Sequence, residues 1–336
     1  MIKLVSRIGL LFAIVSTSMV FSSNAIAAEP VSKWCDGVKI AAFPGGPPGG
    51  VFSNNVYNGI RQAELDLGPE VTYYYSDWDP KKLLSQLEDA VASKVDGIAT
   101  YGYAGELETG PLVDKAFQQG TIVTTLNTSL SQSEGKYSTY GFGYVGAPNY
   151  SAGFALGIET IQRAGLDEGD VVFVWGLKSQ GGDRGQRTIG VIESLEKLGV
   201  KVVYEEIDSK TNSDPDAGIE TFVDVIKSNP DIKAVVTDHG GLTSHVGVFA
   251  EAASLVPGQL FFSGFDLSPS TIEAVRSGFQ NLVLDQQPYL QGYLPILNIC
   301  LTKKYGFSGL NINTAGAFVD STNVEAIAAL AEIEIR

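Results

Sequence analysis

Residues 71–126 read VTYYYSDWDPKKLLSQLEDAVASKVDGIATYGYAGELETGPLVDKAFQQGTIVTTL, and the order of elements in this stretch decides the fold. Val71 to Tyr75 is β-branched and aromatic, the composition of a strand. Asp79-Pro80 then supplies a helix N-cap with proline at the first helical position. The helix so opened collects Leu83, Leu84, Leu87, Ala90 and Val91 on one face. Val95 to Thr100 is the next strand, Leu112 to Gln119 a helix stopped by Gly120, and Thr121 to Leu126 a third strand. No hairpin signal separates these strands. Strands joined through helices form a parallel sheet with helices on both faces.

The same alternation extends both ways. Upstream, Val38 to Phe43 reads as a strand, and Ser53 to Leu67 as a helix with Val56, Ile60, Ala63 and Leu67 on one face, closed by Gly68. Downstream, strands are predicted at Val171 to Trp175, Val202 to Ile207, Ile232 to Thr237 and Leu260 to Phe265. Between them lie helices at Tyr150 to Arg163, at Gln186 to Leu198, and from Asp214-Pro215 onward. Leu282 to Leu284 and Gly316 to Val319 are late strands on either side of a helix around Tyr289 to Lys304. The fold class is therefore α/β, with two doubly wound parallel-sheet lobes joined by a hinge. The first lobe is expected over residues 36–144 with about 287–312, the second over about 145–286 with 313–336. In such sheets a ligand lies at the carboxyl ends of the strands.

A length of 336 residues suits about two domains, and 44% apolar content excludes a disordered chain. The formal charge of -15 opposes nucleic acid and anionic membranes and favours a soluble monomer. The N-terminus has the form of a cleavable export signal over residues 1–28. Lys3 and Arg7 precede an apolar run from Ile8 to Phe21, and Ala25-Ile26-Ala27 provides the small-x-small cleavage pattern. The run is shorter than the ~20 apolar residues that cross a bilayer. Removing Lys3 and Arg7 takes the charge from -15 to -17. In an oxidising compartment Cys35 and Cys300 either pair or remain as two thiols, and the sequence leaves both readings open.

Motifs of covalent chemistry are missing. The loop Pro44-Gly45-Gly46-Pro47-Pro48-Gly49-Gly50 follows the first strand, but it does not fit GxGxxG, and its prolines lack the N–H donors a pyrophosphate needs. Neither GxxxxGK[ST] nor GxSxG occurs. His239 and His245 do not have the spacing of HExxH, and Asp238-His239 has no nucleophile motif beside it. No enzyme activity, cofactor or metal is expected.

What stands at the strand ends is polar, planar or aromatic. The candidate ligand-binding residues are Phe52, Tyr101, Asn127, Arg187, Asp238, Asp266 and Gln286, with Tyr103 at the lip of the cleft. Aromatic faces suit C–H surfaces, and carboxylates, amides and arginine suit hydroxyls, so the set fits a neutral polyhydroxylated ligand. Because an open cleft is wet, such residues are expected to matter for binding and little for folding.

With these pieces in order, the sequence resembles the type I periplasmic sugar-binding proteins of ABC importers, the ribose-binding-protein-like family with the LacI-type periplasmic binding domain. The resemblance rests on Ser263-Gly264-Phe265-Asp266, on Asp285-Gln286-Gln287-Pro288-Tyr289-Leu290-Gln291-Gly292-Tyr293, on Arg187-Thr188-Ile189-Gly190, on Phe52 seven residues before Gly59, and on Val95-Asp96-Gly97-Ile98. It implies a periplasmic protein that closes on a monosaccharide, sugar alcohol or related polyol and presents it to a membrane permease. Phe52 would stack on the ring, Arg187, Asp238 and Asp266 would bond hydroxyls, and Asn127 and Gln286 would be amide partners. Two departures bear on the ligand: Asn127-Thr128 stands where many members carry Asp-Arg, and Asp238-His239-Gly240-Gly241 where many carry Asn-Asp. Pentoses, sugar alcohols and autoinducer-like furanosyl compounds all stay open. Rival readings are a LacI-type effector domain, in whose DNA-binding headpiece's place an export signal is expected here, a sensor module docking on a chemoreceptor or histidine kinase, and an enzyme on the same fold.

Overall fold

In the computed structural model, residues 32–336 are described, and the expected export signal lies outside them. The first sheet takes β1 (Lys39–Gly45), β2 (Glu70–Tyr75), β3 (Gly97–Tyr101), β4 (Ile122–Leu126) and β5 (Gly143–Gly146). The second takes β6 (Val171–Gly176), β7 (Lys201–Glu206), β8 (Ile232–Thr237), β9 (Phe261–Phe265) and β10 (Leu282–Asp285). The late strands β11 (Asn311–Asn313) and β12 (Ala317–Val319) each complete one sheet. The strand orders are β11-β5-β4-β3-β1-β2 and β12-β10-β9-β8-β6-β7, the same winding used twice. Each order reverses beside its first strand, so the loops leaving β1, β3, β6 and β8 open a crevice at that switch point.

Burial explains why the central strands are legible. Ile40 to Phe43 on β1 and Ala234 to Thr237 on β8 are buried without interruption, as strands covered on both faces must be. The edge strands β2 and β7 alternate in exposure or are only half-buried. Asp79 caps the helix Pro80–Ala92 as expected, its carboxylate accepting the Lys81 N–H at 2.8 Å.

Several boundaries differ from expectation. The strands β5 and β11 are short, read GYVG and NIN, and have no β-branched run to announce them. The first sheet keeps the chain through Gly146 and again through Asn313, past residues 144 and 312. β12 runs antiparallel to β10, an exception to the all-parallel expectation, because only residues 314–316 separate it from β11, so the chain enters the second sheet at the carboxyl ends of its strands and runs back. The helix Glu106–Gln118 starts upstream of Pro111 rather than after it. The helix expected after Asp214 divides into a 3₁₀ turn, Pro215–Gly218, and the helix Ile219–Ser228, and a further short helix, Ser209–Ser213, precedes them.

Three connections run between the sheets, and they lie side by side. Asn313 pairs with Gly146 across β11 and β5, and Ala317 pairs with Asp285 across β12 and β10. Each sheet has a core of its own. Ile296, Ile299 and Cys300, from the helix Pro288–Tyr305, belong to the core of the first sheet. Cys35 and Cys300 are disulfide-bonded with Cα atoms 5.7 Å apart, which decides between the two open readings.

Glycine sets the approach of one helix pair in each lobe. A Cβ at Gly59 would lie 2.0 Å from the Tyr289 carbonyl oxygen, and one at Gly153 would lie 2.0 Å from that of Arg187. The second contact seats the first turn of the helix Gln186–Lys197 directly on the helix Asn149–Ala164. That is what delivers Arg187 to the crevice.

Candidate binding site

A cavity of about 250 Å³ lies between the carboxyl ends of the two sheets. The first sheet contributes Phe52 and its neighbours after β1, Trp78 after β2, Tyr103 after β3, and Asn127 and Thr128 after β4. The second contributes Arg184 and Arg187 after β6, Asn212 and Ser213 after β7, His239 after β8, Asp266 after β9, and Gln286 after β10. Across the mouth the lips meet: the Ser129 N–H donates to the Asp183 carboxylate at 3.3 Å, and Gly182 packs on Gly105. The structure is therefore a closed arrangement.

Arg187 is the hub of the polar floor. Its Nε donates to Asn149 Oδ1 at 3.0 Å, Nη1 to the Asp238 carbonyl at 3.2 Å, and Nη2 to Gln286 Oε1 at 3.0 Å. The guanidinium also lies over the Phe265 ring, 4.5 Å from its centroid. Three of its five N–H groups are thereby used, and one remains on each terminal nitrogen. Burial, aided by the nearby Arg184, lowers its pKa to about 10, so it stays cationic at neutral pH. Gln286 Oε1 accepts a second hydrogen bond from Asn127 Nδ2 at 3.0 Å. One amide oxygen thus ties a side chain on β4's loop to one on β6's loop.

Asn127 and Asp266 hold φ values of 59° and 73°, the left-handed region that Asn and Asp tolerate best, which turns the chain sharply where each strand ends. Asp266 is fully buried, and its Oδ2 accepts the Gly240 N–H at 3.1 Å. Its Oδ1 has no hydrogen-bond partner among the described residues. Burial pushes its carboxyl up to about 6, against the pull of the Arg187 guanidinium and of the Gln286 side chain beside it.

The opposite wall is aromatic. Phe52 and Trp78 are half-buried, with ring centroids 6.0 Å apart and planes at 59°. Trp78 lies against the backbone of Gly45 and Gly46, where a Cβ on Gly46 would fall 2.3 Å from the indole nitrogen. The Gly-rich loop makes room for an indole.

Of the seven expected site residues, Phe52, Asn127, Arg187, Asp266 and Gln286 line this cavity. The other two are placed off this lining. Tyr101 is fully buried behind the wall, its hydroxyl donating to the Pro44 carbonyl at 2.8 Å and its ring meeting Trp78 edge-on at 5.5 Å. It supports Trp78, and Tyr103 faces the cavity instead. Asp238 has both carboxylate oxygens engaged inside the protein, Oδ1 by Thr188 Oγ1 at 2.9 Å and Oδ2 by Arg184. It positions Arg184 rather than lining the cavity. Sequence reasoning missed Trp78 and Arg184, and it weighed His239 as a catalytic or metal-ligating residue and as part of a departure from the family pattern without counting it among the site residues. The signal available for Trp78 was an indole placed directly between a strand and an N-cap.

A doubly wound sheet used twice around an interlobe cavity of arginine, carboxylate, amides and aromatics defines the class of two-lobed solute-binding folds. The chain belongs to the periplasmic binding protein family, whose domain model matches residues 41–300. A xylose/arabinose-binding protein of Sulfolobus acidocaldarius is 26% identical over 260 residues, which are 74% of this chain and 62% of that protein. The chain thus spans less than two thirds of that relative's length. Among solved structures, a carbohydrate transporter from Acidothermus cellulolyticus in complex with myo-inositol matches with a TM-score of 0.75 at 23% identity, covering 89% of this chain and 99% of that one. An ABC transporter solute-binding protein from Burkholderia graminis in complex with D-arabinose matches with a TM-score of 0.74 at 20% identity, covering 86% and 97%. At these identities the two structures share the fold.

Proposed function

We propose that this chain is the exported solute-binding component of an ABC importer and that it holds a small carbohydrate in the interlobe cavity. The observation that carries this reading is the floor around Gln286 Oε1, where Asn127 from one lobe and Arg187 from the other meet opposite an aromatic wall. A ring with an apolar C–H face and a polar hydroxyl edge fits such a cavity. Phe52 and Trp78 take the face, and Arg187, Asp266, Asn127 and Gln286 take the hydroxyls. The names of the relatives, which bind xylose or arabinose, myo-inositol and D-arabinose, point the same way.

The lobes in this reading are residues 36–146 with 288–313 and residues 149–285 with 317–336, hinged at the three adjacent connections. Closure around the ligand presents both lobe surfaces to a permease, with a chemoreceptor as a further docking partner. Export through residues 1–28 places the monomeric protein in the periplasm, where its disulfide persists.

The test is a thermal-shift screen of the protein secreted by a Gram-negative host against D-xylose, L-arabinose, D-arabinose, D-fucose, D-allose and myo-inositol. A ligand at about 100 times its Kd adds roughly 2.7 kcal/mol. A panel that leaves the melting temperature unchanged refutes the carbohydrate reading. Mass spectrometry of the same protein should find its N-terminus near Ala28, and an intact Met1 on soluble protein refutes export.

A further inference from the structure

Three residues of the cavity carry buried polar atoms without a hydrogen-bond partner among the described residues: Arg184 Nη1, His239 Nε2 and Asp266 Oδ1. Leaving a buried polar group unpaired is unfavourable, so three of them in one cavity point to a partner that comes from outside the chain. Their chemistry is defined by what holds the other end of each side chain. Arg184 is 8% exposed and is anchored by Asp238 through Nη2, which leaves Nη1 as a fixed N–H donor. The His239 Nδ1 accepts the Gly241 N–H at 3.1 Å, so in the neutral ring the proton sits on Nε2, and this nitrogen is also a donor. Burial keeps that ring neutral, holding its pKa at about 4. Asp266 Oδ1 is the matching acceptor.

We propose that Arg184 and His239 are ligand-contacting, specificity-determining residues that donate N–H hydrogen bonds to oxygen atoms of an uncharged polyol, whose hydroxyl in turn donates to Asp266. This deepens the carbohydrate reading above and rests on it. The charges of the cavity favour a neutral ligand. The Arg184 cation is matched by Asp238, and Asp266 balances Arg187, so no cation is left over for a carboxylate or phosphate. The pair also gives a physical role to the place where Asp238-His239-Gly240-Gly241 departs from the Asn-Asp of related chains. There the carboxylate anchors an arginine, and the imidazole takes the position facing the ligand.

Calorimetric titration with the panel sugar that binds the parent most tightly tests this. Arg184→Lys keeps a cation beside Asp238 but removes the second arm of the fork. His239→Asn retains an acceptor for the Gly241 N–H but does not reach as far as Nε2, whereas His239→Gln extends an amide N–H toward that position. Arg184→Lys and His239→Asn are expected to bind about tenfold or more weakly, with unliganded melting temperatures near the parent's, and His239→Gln is expected to recover most of the loss. D-Galacturonate, the anionic probe, should bind more weakly than D-fucose. Should Arg184→Lys unfold, the two His239 variants still decide the matter. Parent-like affinity in both Arg184→Lys and His239→Asn, or tighter binding of D-galacturonate, overturns this inference and leaves the carbohydrate reading standing. A parent that binds no sugar of the panel overturns that reading together with the ligand class proposed here.

Discussion

Lowering the pH from 7.5 to 5 isolates the role of the Asp266 carboxylate. In the folded protein its pKa is pushed up to about 6 by burial, above the ordinary value of 3.8. At pH 7.5 nearly every molecule therefore presents an ionised Oδ1 to the cavity, whereas at pH 5 only about one in eleven does. A ligand hydroxyl that donates to the ionised form sees an apparent Kd divided by that competent fraction, so affinity should fall about tenfold, or ~1.4 kcal/mol. Isothermal titration calorimetry with the best panel sugar at pH 7.5, 6 and 5 reads this directly. Asp266→Asn is the control, expected to bind weakly and with no pH dependence over the same range.

The same shift has a stability consequence of opposite sense. Because the folded pKa is raised, the stabilising contribution is full below pH about 3.8 and is lost as pH rises through about 6. To the extent that the lobes stay closed, Asp266→Asn should therefore be more stable than the parent at pH 7.5 and gain nothing at pH 3.5. An affinity that stays flat in the parent, or that falls equally in Asp266→Asn, refutes the assignment of Asp266 as the ionised acceptor.

Arg187→Ala should lower the stability of the unliganded protein by about 2–4 kcal/mol, because the Asn149 and Asp238 acceptors lose a charged donor deep in the floor. Chemical denaturation checks this, and a parent-like midpoint would restore the view that cleft residues are neutral for folding. Of the three tryptophans, Trp78 lines the cavity, Trp175 lies in the core of the second sheet and Trp34 stacks on Tyr305. Ligand-induced change in tryptophan fluorescence should accordingly vanish in Trp78→Phe and survive in Trp34→Phe; the reverse pattern would place the ligand elsewhere. Replacing Cys35 and Cys300 by serine releases a link across 265 residues and should cost about 2–5 kcal/mol, read as a lower denaturant midpoint that dithiothreitol reproduces in the parent.

The repeated strand-helix order was legible because it is written in local terms: apolar runs for central strands, 3.6-residue periodicity for the helices, and a cap such as Asp79 at a helix start. Strand ends are legible for the same reason, which is why Asn127, Asp266 and Gln286 could be named in advance. The short edge strands β5 and β11 carry no such local signature and exist because a neighbouring strand completes their hydrogen bonds. What the tertiary structure alone decided is which side of each strand end faces the cavity. Tyr101 and Tyr103 are two residues apart and both buried, yet only Tyr103 lines the cavity. Asp238 reads from the sequence as a carboxylate at a strand end, and only the folded chain shows Arg184 and Thr188 occupying its two oxygens. The cysteine pair, 265 residues apart, depends on where a helix returns to the first sheet after the chain has built most of the second lobe. Sequence spacing specifies local geometry, while the pairing of buried polar groups and thiols depends on three-dimensional neighbours that only packing brings together.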